Sequence, residues 1–200
     1  MTTRSKSPLR PPNGARRALS VGFILAPRFT LSAFANFVDV LRLAADEGDR
    51  SRPILCSWSV LSDDLAAVTS SCGVTVQPQE RLGDPRRFDY VVVVGGLIAG
   101  DLGLEAGSVA YLRQAARLGV PLAGVCTGSF ALHAAGLMQG YRCCVSWFHY
   151  DDFLERFDGM EPVANQIFVV DRDRLTCAGG ASSAHLAAYL VEKHIGARQA

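Results

Sequence analysis

The sequence predicts an α/β sandwich with a mainly parallel sheet and helices on both faces. Three observations lead there. Short apolar runs alternate with stretches of helical periodicity, one run is apolar at every position as in a doubly covered strand, and glycine-rich turns follow the strands.

In chain order, Leu19 to Leu25 reads as a short apolar strand. Leu31 to Ala45 follows as a helix, with Phe34, Phe37, Val38 and Leu41 at helical spacing. Ile54 to Leu61 is a second strand and Val74 to Val76 a short extended piece. Tyr90 to Val94, β-branched and ending at Gly95-Gly96, reads as a central parallel strand. Leu104 to Leu118 is a helix with Val109, Leu112 and Ala116 on one face, stopped by Gly119. Pro121 to Val125 is the next strand, and Phe130 to Leu137 and Tyr150 to Phe157 are short helices. Gln166 to Val170 and Leu175 to Cys177 form a hairpin turned by Asp171-Arg172-Asp173, and Ala181 to His194 closes the chain as a helix.

Composition sets the outer bounds. With 200 residues, 49% hydrophobic and 20% charged, one substantial core is available, which excludes a disordered chain, a fibre or a minimal disulfide scaffold. A net charge of +1 argues against a surface built to grip phosphate backbones. The first 18 residues carry Arg4, Lys6, Arg10, Arg16 and Arg17 without an acid, so they read as a disordered basic arm, and residues 19–200 form a mildly acidic domain. No apolar run is long enough to span a bilayer and the N-terminus lacks a secretory signal, so no membrane association and a cytoplasmic location are expected. The six cysteines show no C-x-x-C and fit reduced thiols. Cys143 and Cys144, with His149 alone nearby, do not make a zinc set, and neither metal nor cofactor is expected.

In parallel sheets ligands lie at the carboxyl ends of strands. Gly95-Gly96 either lets backbone N–H groups approach a ligand oxygen or makes a simple tight turn. Gly124-Val125-Cys126-Thr127-Gly128 has the form of a strand-to-helix nucleophile elbow, where a helix N-terminus favours a thiolate; the alternative is a buried, inert cysteine. His133 lies about two helical turns on and is carried into the sheet packing, His185 and His194 sit on the last helix, and His149 is the remaining base candidate. The stretch Ser146-Trp147-Phe148-His149-Tyr150 is the most aromatic of the chain, and Trp147 there suits a quaternary ammonium group through cation–π attraction. Phe29 and Trp58 are equal alternatives for that role, and Phe148 reads as core.

At these residues the chain resembles a known group. Val21 to Leu25, Pro27-Arg28-Phe29-Thr30-Leu31, Asp39 to Ala44, Val94-Gly95-Gly96, Gly124 to Phe130, Ala135-Gly136-Leu137 and, most specifically, Asp171 to Gly180 carry the likeness. Over residues 19–196 they resemble the N-terminal domain of GlxA-type AraC-family transcription regulators, of the ThiJ/PfpI, class I glutamine amidotransferase-like superfamily. Within that group the likeness is to regulators of quaternary-amine and amino-acid catabolism, such as those for glycine betaine, carnitine or arginine. The resemblance implies a flavodoxin-like three-layer sandwich that senses a small molecule, commonly as a homodimer, and signals to a C-terminal pair of helix-turn-helix motifs.

The chain departs from the pattern in three ways. Superfamily enzymes combine a Cys with a His and a Glu; Cys126 matches the first, but the acidic position of the first helix falls on Ala33 and the position before Trp147, often His, on Ser146. Nothing then deprotonates or orients the thiol, which speaks against catalysis. The chain stops at Ala200 without a recognition helix, so no specific DNA binding by this chain is expected, whether it is an excised sensor or a stand-alone domain. The leading expectation is a ligand-sensing and dimerising domain whose pocket is built from Gly95, Gly96, Cys126, Thr127 and Trp147. A cysteine-dependent hydrolase, hydratase or deglycase is the second reading, and a dimerisation scaffold without ligand the third.

Overall fold

A computed structural model describes residues 18–46, 48, 50–98, 104–157 and 162–200. The expected basic arm, Ala18 apart, lies outside the described residues.

The seven-residue strand β1 (Leu19–Leu25) enters the 15-residue helix α1 (Leu31–Ala45), both with the bounds the pattern predicts. Strand β2 (Cys56–Ser62) starts two residues later than expected, and three two-residue strands follow: β3 (Val68–Thr69), β4 (Thr75–Val76) and β5 (Glu80–Arg81). Only β4 carries an expected extended piece. The others lie in a polar stretch without periodicity, where pairing partners rather than local pattern define the strand.

The second half repeats the alternation. Strand β6 (Tyr90–Val94) leads to α2 (Ala106–Arg117), β7 (Leu122–Val125) and α3 (Gly128–Ala134). After β8 (Cys143–Cys144) come α4 (Tyr150–Arg156), β9 (Pro162–Val163), β10 (Phe168–Asp171), β11 (Arg174–Cys177) and α5 (Ser182–His194). β10 and β11 form the expected antiparallel hairpin.

Seven strands make one sheet in the order β10-β11-β7-β6-β1-β2-β5, parallel throughout except for β10 at the edge. β3 pairs with β4, and β8 with β9, in two small sheets of their own. Alternation along the strands explains the continuous apolar run of β6. Tyr90, Val92 and Val94 join the core under α1 and α5, while Val91 and Val93 join the core on the face of α2, α3 and α4.

The first face is organised by rings: Phe23 meets Phe37 edge-on at 5.3 Å and Phe34 at 5.4 Å, and Leu186, Leu190 and Val191 of α5 close the layer. Parallel strands end at one edge, so the turns after β1, β6, β7 and β11 meet there. Among the described residues no helix is long and apolar enough to cross a membrane.

Phe37 is fully buried against Phe23 in the ring cluster. Phe37→Ala is expected to lower stability by about 3–5 kcal/mol, read as a lower urea midpoint with an unchanged slope.

Candidate functional site

Only Cys126 and Thr127 separate β7 from α3, so the chain must turn sharply. Cys126 makes the turn in the left-handed region at φ 57°, a conformation a non-glycine residue holds only when its surroundings impose it. Its N–H donates to the Cys177 carbonyl at the end of β11, 3.1 Å away. On the other side, a side chain on Gly95 would meet the Gly128 nitrogen at 2.2 Å, so the end of β6 and the start of α3 touch backbone to backbone.

Gly96 continues this contact. It bridges Phe29 across the turn after β1, and its carbonyl accepts the Thr127 hydroxyl at 2.8 Å. The Thr30 N–H donates to the Gly95 carbonyl at 2.9 Å and the Leu97 N–H to the Arg28 carbonyl at 3.3 Å. Gly95, Gly96, Cys126 and Thr127 therefore lie together in one compact cradle. Among the described residues the Gly96 and Thr127 amides donate to no partner, which leaves two N–H groups available to an incoming acceptor.

Two residues outside the expected set complete the surroundings of the thiol. The Thr30 hydroxyl lies 3.4 Å from the Cys126 sulfur. Gly179, at φ 92°, packs so closely that an added side-chain carbon would sit 2.6 Å from Cys126 Cβ. Asn36 of α1 donates to the Gly180 carbonyl at 3.1 Å and ties the start of α1 to the turn before α5. A threonine at a helix start and a second glycine pair after a strand are visible in the sequence, but neither pattern shows that the residue reaches Cys126.

No acid–base partner reaches the thiol among the described residues. Ala33 is fully buried on α1 and brings no carboxylate. Ser146 caps a 3-10 turn at Trp147–His149 by accepting the Phe148 N–H. His149 Nδ1 is engaged 2.9 Å from Asp152. His133 faces the other layer, between Phe153 and Phe157 at 4.8 Å each, and His194 pairs with the Tyr90 hydroxyl at 3.0 Å. His185 is exposed on α5.

Trp147 stands apart from the cradle. It is 78% exposed beside Phe148, which is 69% exposed rather than core, and no described contact joins Trp147 to the other four residues. Phe148 is a correction, because the turn projects it outward while Phe153 takes the buried ring position. Phe29 is fully buried against Phe34, and Trp58 is half-buried on β2.

The other buried cysteines are poor nucleophiles. Burial pushes the Cys143 and Cys144 thiols up to about 11 and Cys177 to about 12. All six cysteines are free, and among the described residues no three His, Cys, Asp or Glu side chains gather as a metal set would.

The DJ-1/PfpI family model matches residues 21–193. The chain belongs to the DJ-1/PfpI family. It is 34% identical over 181 residues to the HTH-type transcriptional regulator GbdR of Pseudomonas aeruginosa, covering 90% of this chain and 48% of GbdR. It is 31% identical over 179 residues to isonitrile hydratase of Pseudomonas putida, covering 90% of this chain and 73% of the hydratase. The crystal structure of an AraC family transcriptional regulator from Pseudomonas putida superposes with a TM-score of 0.75 at 27% identity, over 90% of this chain and 95% of that one. The chain spans about half the length of the curated regulators it matches. Its mostly parallel sheet between helices is the flavodoxin-like α/β fold of these neighbours.

Burial between the two phenylalanine rings pushes the His133 imidazole down to about 4, and its Nε2 has no hydrogen-bond partner. The unfolded chain takes up this proton near pH 6.5, so the stabilisation is complete above that pH and is lost as pH falls toward 4. The melting temperature is expected to drop between pH 7 and 4.5 and to drop less in His133→Phe. His194, also pushed down by burial, leaves a residual slope.

Proposed function

We propose that residues 19–200 form the small-molecule-sensing and dimerisation domain of an AraC-family transcription regulator of the cytoplasm. The observation that carries this reading is a nucleophile elbow without its chemistry. Cys126 is held at φ 57° beside two available amides, yet its one polar side-chain neighbour among the described residues is the Thr30 hydroxyl. A hydroxyl neither removes the thiol proton nor supplies one to a leaving group at neutral pH. The geometry that serves an oxyanion also serves a carboxylate, so the cradle suits an anionic ligand end.

The proposed ligand class matches an anion-binding cradle and an aromatic residue that, in this structure, stands apart from it. A quaternary amine or an amino acid places its carboxylate on the Gly96 and Thr127 amides. Trp147 supplies a ring for the cationic end when its turn folds over the cradle, or when a second subunit covers it. The exposed Trp147 and Phe148 rings suit a homodimer contact. Names of relatives support the same reading, since GbdR, CdhR and GlxA are HTH-type transcriptional regulators.

The second reading is a cysteine-dependent hydratase or hydrolase. The strained elbow and the likeness to isonitrile hydratase favour it, and Ala33 and Ser146 oppose it.

Thermal-shift titration of the chain with glycine betaine, carnitine, choline and L-arginine tests the proposal. A ligand at about 100 times its Kd adds about 2.7 kcal/mol, a rise of a few degrees that the Cys126→Ala variant retains. Sedimentation is expected to give twice the mass of the chain. A response that needs Cys126 and grows with time would favour the enzyme reading, and a flat panel with a monomer mass would defeat the sensor reading.

A further inference from the structure

A cavity of about 250 Å³ opens at the same edge of the sheet, on the far side of the turn after β1. It holds about eight waters' worth of liquid volume, enough for a small metabolite. Ile24, Leu61 and Val68 give it an apolar floor, and Arg28, Asp64, Glu105 and Ser108 give it polar walls.

These polar groups are prepared but unspent. Ser108 is only 7% exposed, and its hydroxyl makes no hydrogen bond among the described residues. Its hydroxyl is open to the cavity rather than sealed in the core, so it faces an incoming ligand as both donor and acceptor. The Arg28 guanidinium and the Glu105 carboxylate form no ion pair among the described residues, although both line the same cavity. Arg28 is also held at φ 58° by its N–H to the Thr69 carbonyl, 2.9 Å away, and by the backbone packing of Gly96. Asp64 is oriented by accepting the Ala66 N–H at 2.7 Å.

We infer that this cavity is a binding site for a free α-amino acid, distinct from the Cys126 cradle. Arg28 takes the carboxylate in a charge-assisted, forked contact. Glu105, Asp64 and the Ser108 hydroxyl take a primary ammonium group, which offers three N–H donors. A quaternary ammonium has none and is held by aromatic faces, and no aromatic ring lines this cavity. The side chain of the amino acid lies on the apolar floor. The inference concerns binding alone and does not rest on what the cradle holds. One turn, Pro27 to Phe29, forms a wall of both sites.

Isothermal titration of the chain with each proteinogenic L-amino acid, to about 10 mM, and with the N-trimethyl derivative of the tightest binder, tests this. One or more amino acids are expected to bind, with trimethylation weakening binding by about tenfold or more. Arg28→Gln and Glu105→Gln each cost about tenfold or more, while Arg117→Gln, exposed at the other end of α2, changes affinity less than about twofold. Both altered side chains are exposed, so unchanged circular dichroism melts are expected to separate lost binding from lost folding. In amide NMR spectra, Ser108 and Glu105 shift on titration. No binding by any amino acid, equal binding of the trimethyl form, or unchanged binding in both Arg28→Gln and Glu105→Gln would overturn the assignment.

Discussion

The left-handed turn at Cys126 is the constraint on which the carboxyl edge of the sheet depends. A β-strand running straight into a helix leaves room for just two residues, and one of them must take positive φ. That conformation persists because the neighbours leave no alternative: the Cys177 carbonyl takes the Cys126 N–H, Gly128 lies on the backbone of β6, and Gly179 closes over the cysteine. The last two contacts are possible only where a side chain is missing. The absence of side chains at Gly95, Gly128 and Gly179 is therefore what brings three strand ends together around one thiol.

From this packing follows the chemical character of the site. Backbone contact fills the sides of the cradle, so the groups left to meet a ligand are the Gly96 and Thr127 amides, the thiol and the Thr30 hydroxyl. Thr30 occupies the cap position of α1 yet makes no capping hydrogen bond; its hydroxyl turns to the sulfur instead. His133, His149 and His194 are committed elsewhere, to a phenylalanine layer, to Asp152 and to Tyr90, and His185 is exposed on α5. The elbow thus keeps its turn with no acid–base side chain beside the thiol among the described residues.

Much of this was legible from residue pattern. β1, α1 and β6 have the bounds that periodicity predicts, because each buries a regular face against a large core. The cradle of Gly95, Gly96, Cys126 and Thr127 was legible because glycines after apolar strands mark close backbone approach. Thr30 and Gly179 were not, since their contacts with Cys126 join segments far apart in the chain, and sequence spacing carries no such distance. The two-residue strands β3, β5, β8 and β9 left no periodic trace, because two residues cannot show a period. Phe148 misled because an aromatic residue reads as core unless the turn that ejects it is known.

The cavity beside Arg28 was invisible for the same reason as Thr30: its walls come from β1, β2, the β3 segment and the start of α2. The central claim is that the Cys126 cradle binds without reacting. The most direct measurement is incubation of the chain with an alkyl isonitrile, following hydration to the N-substituted formamide beside the Cys126→Ala variant. The account predicts the buffer rate for both proteins. Turnover by the native chain that disappears in Cys126→Ala would contradict it.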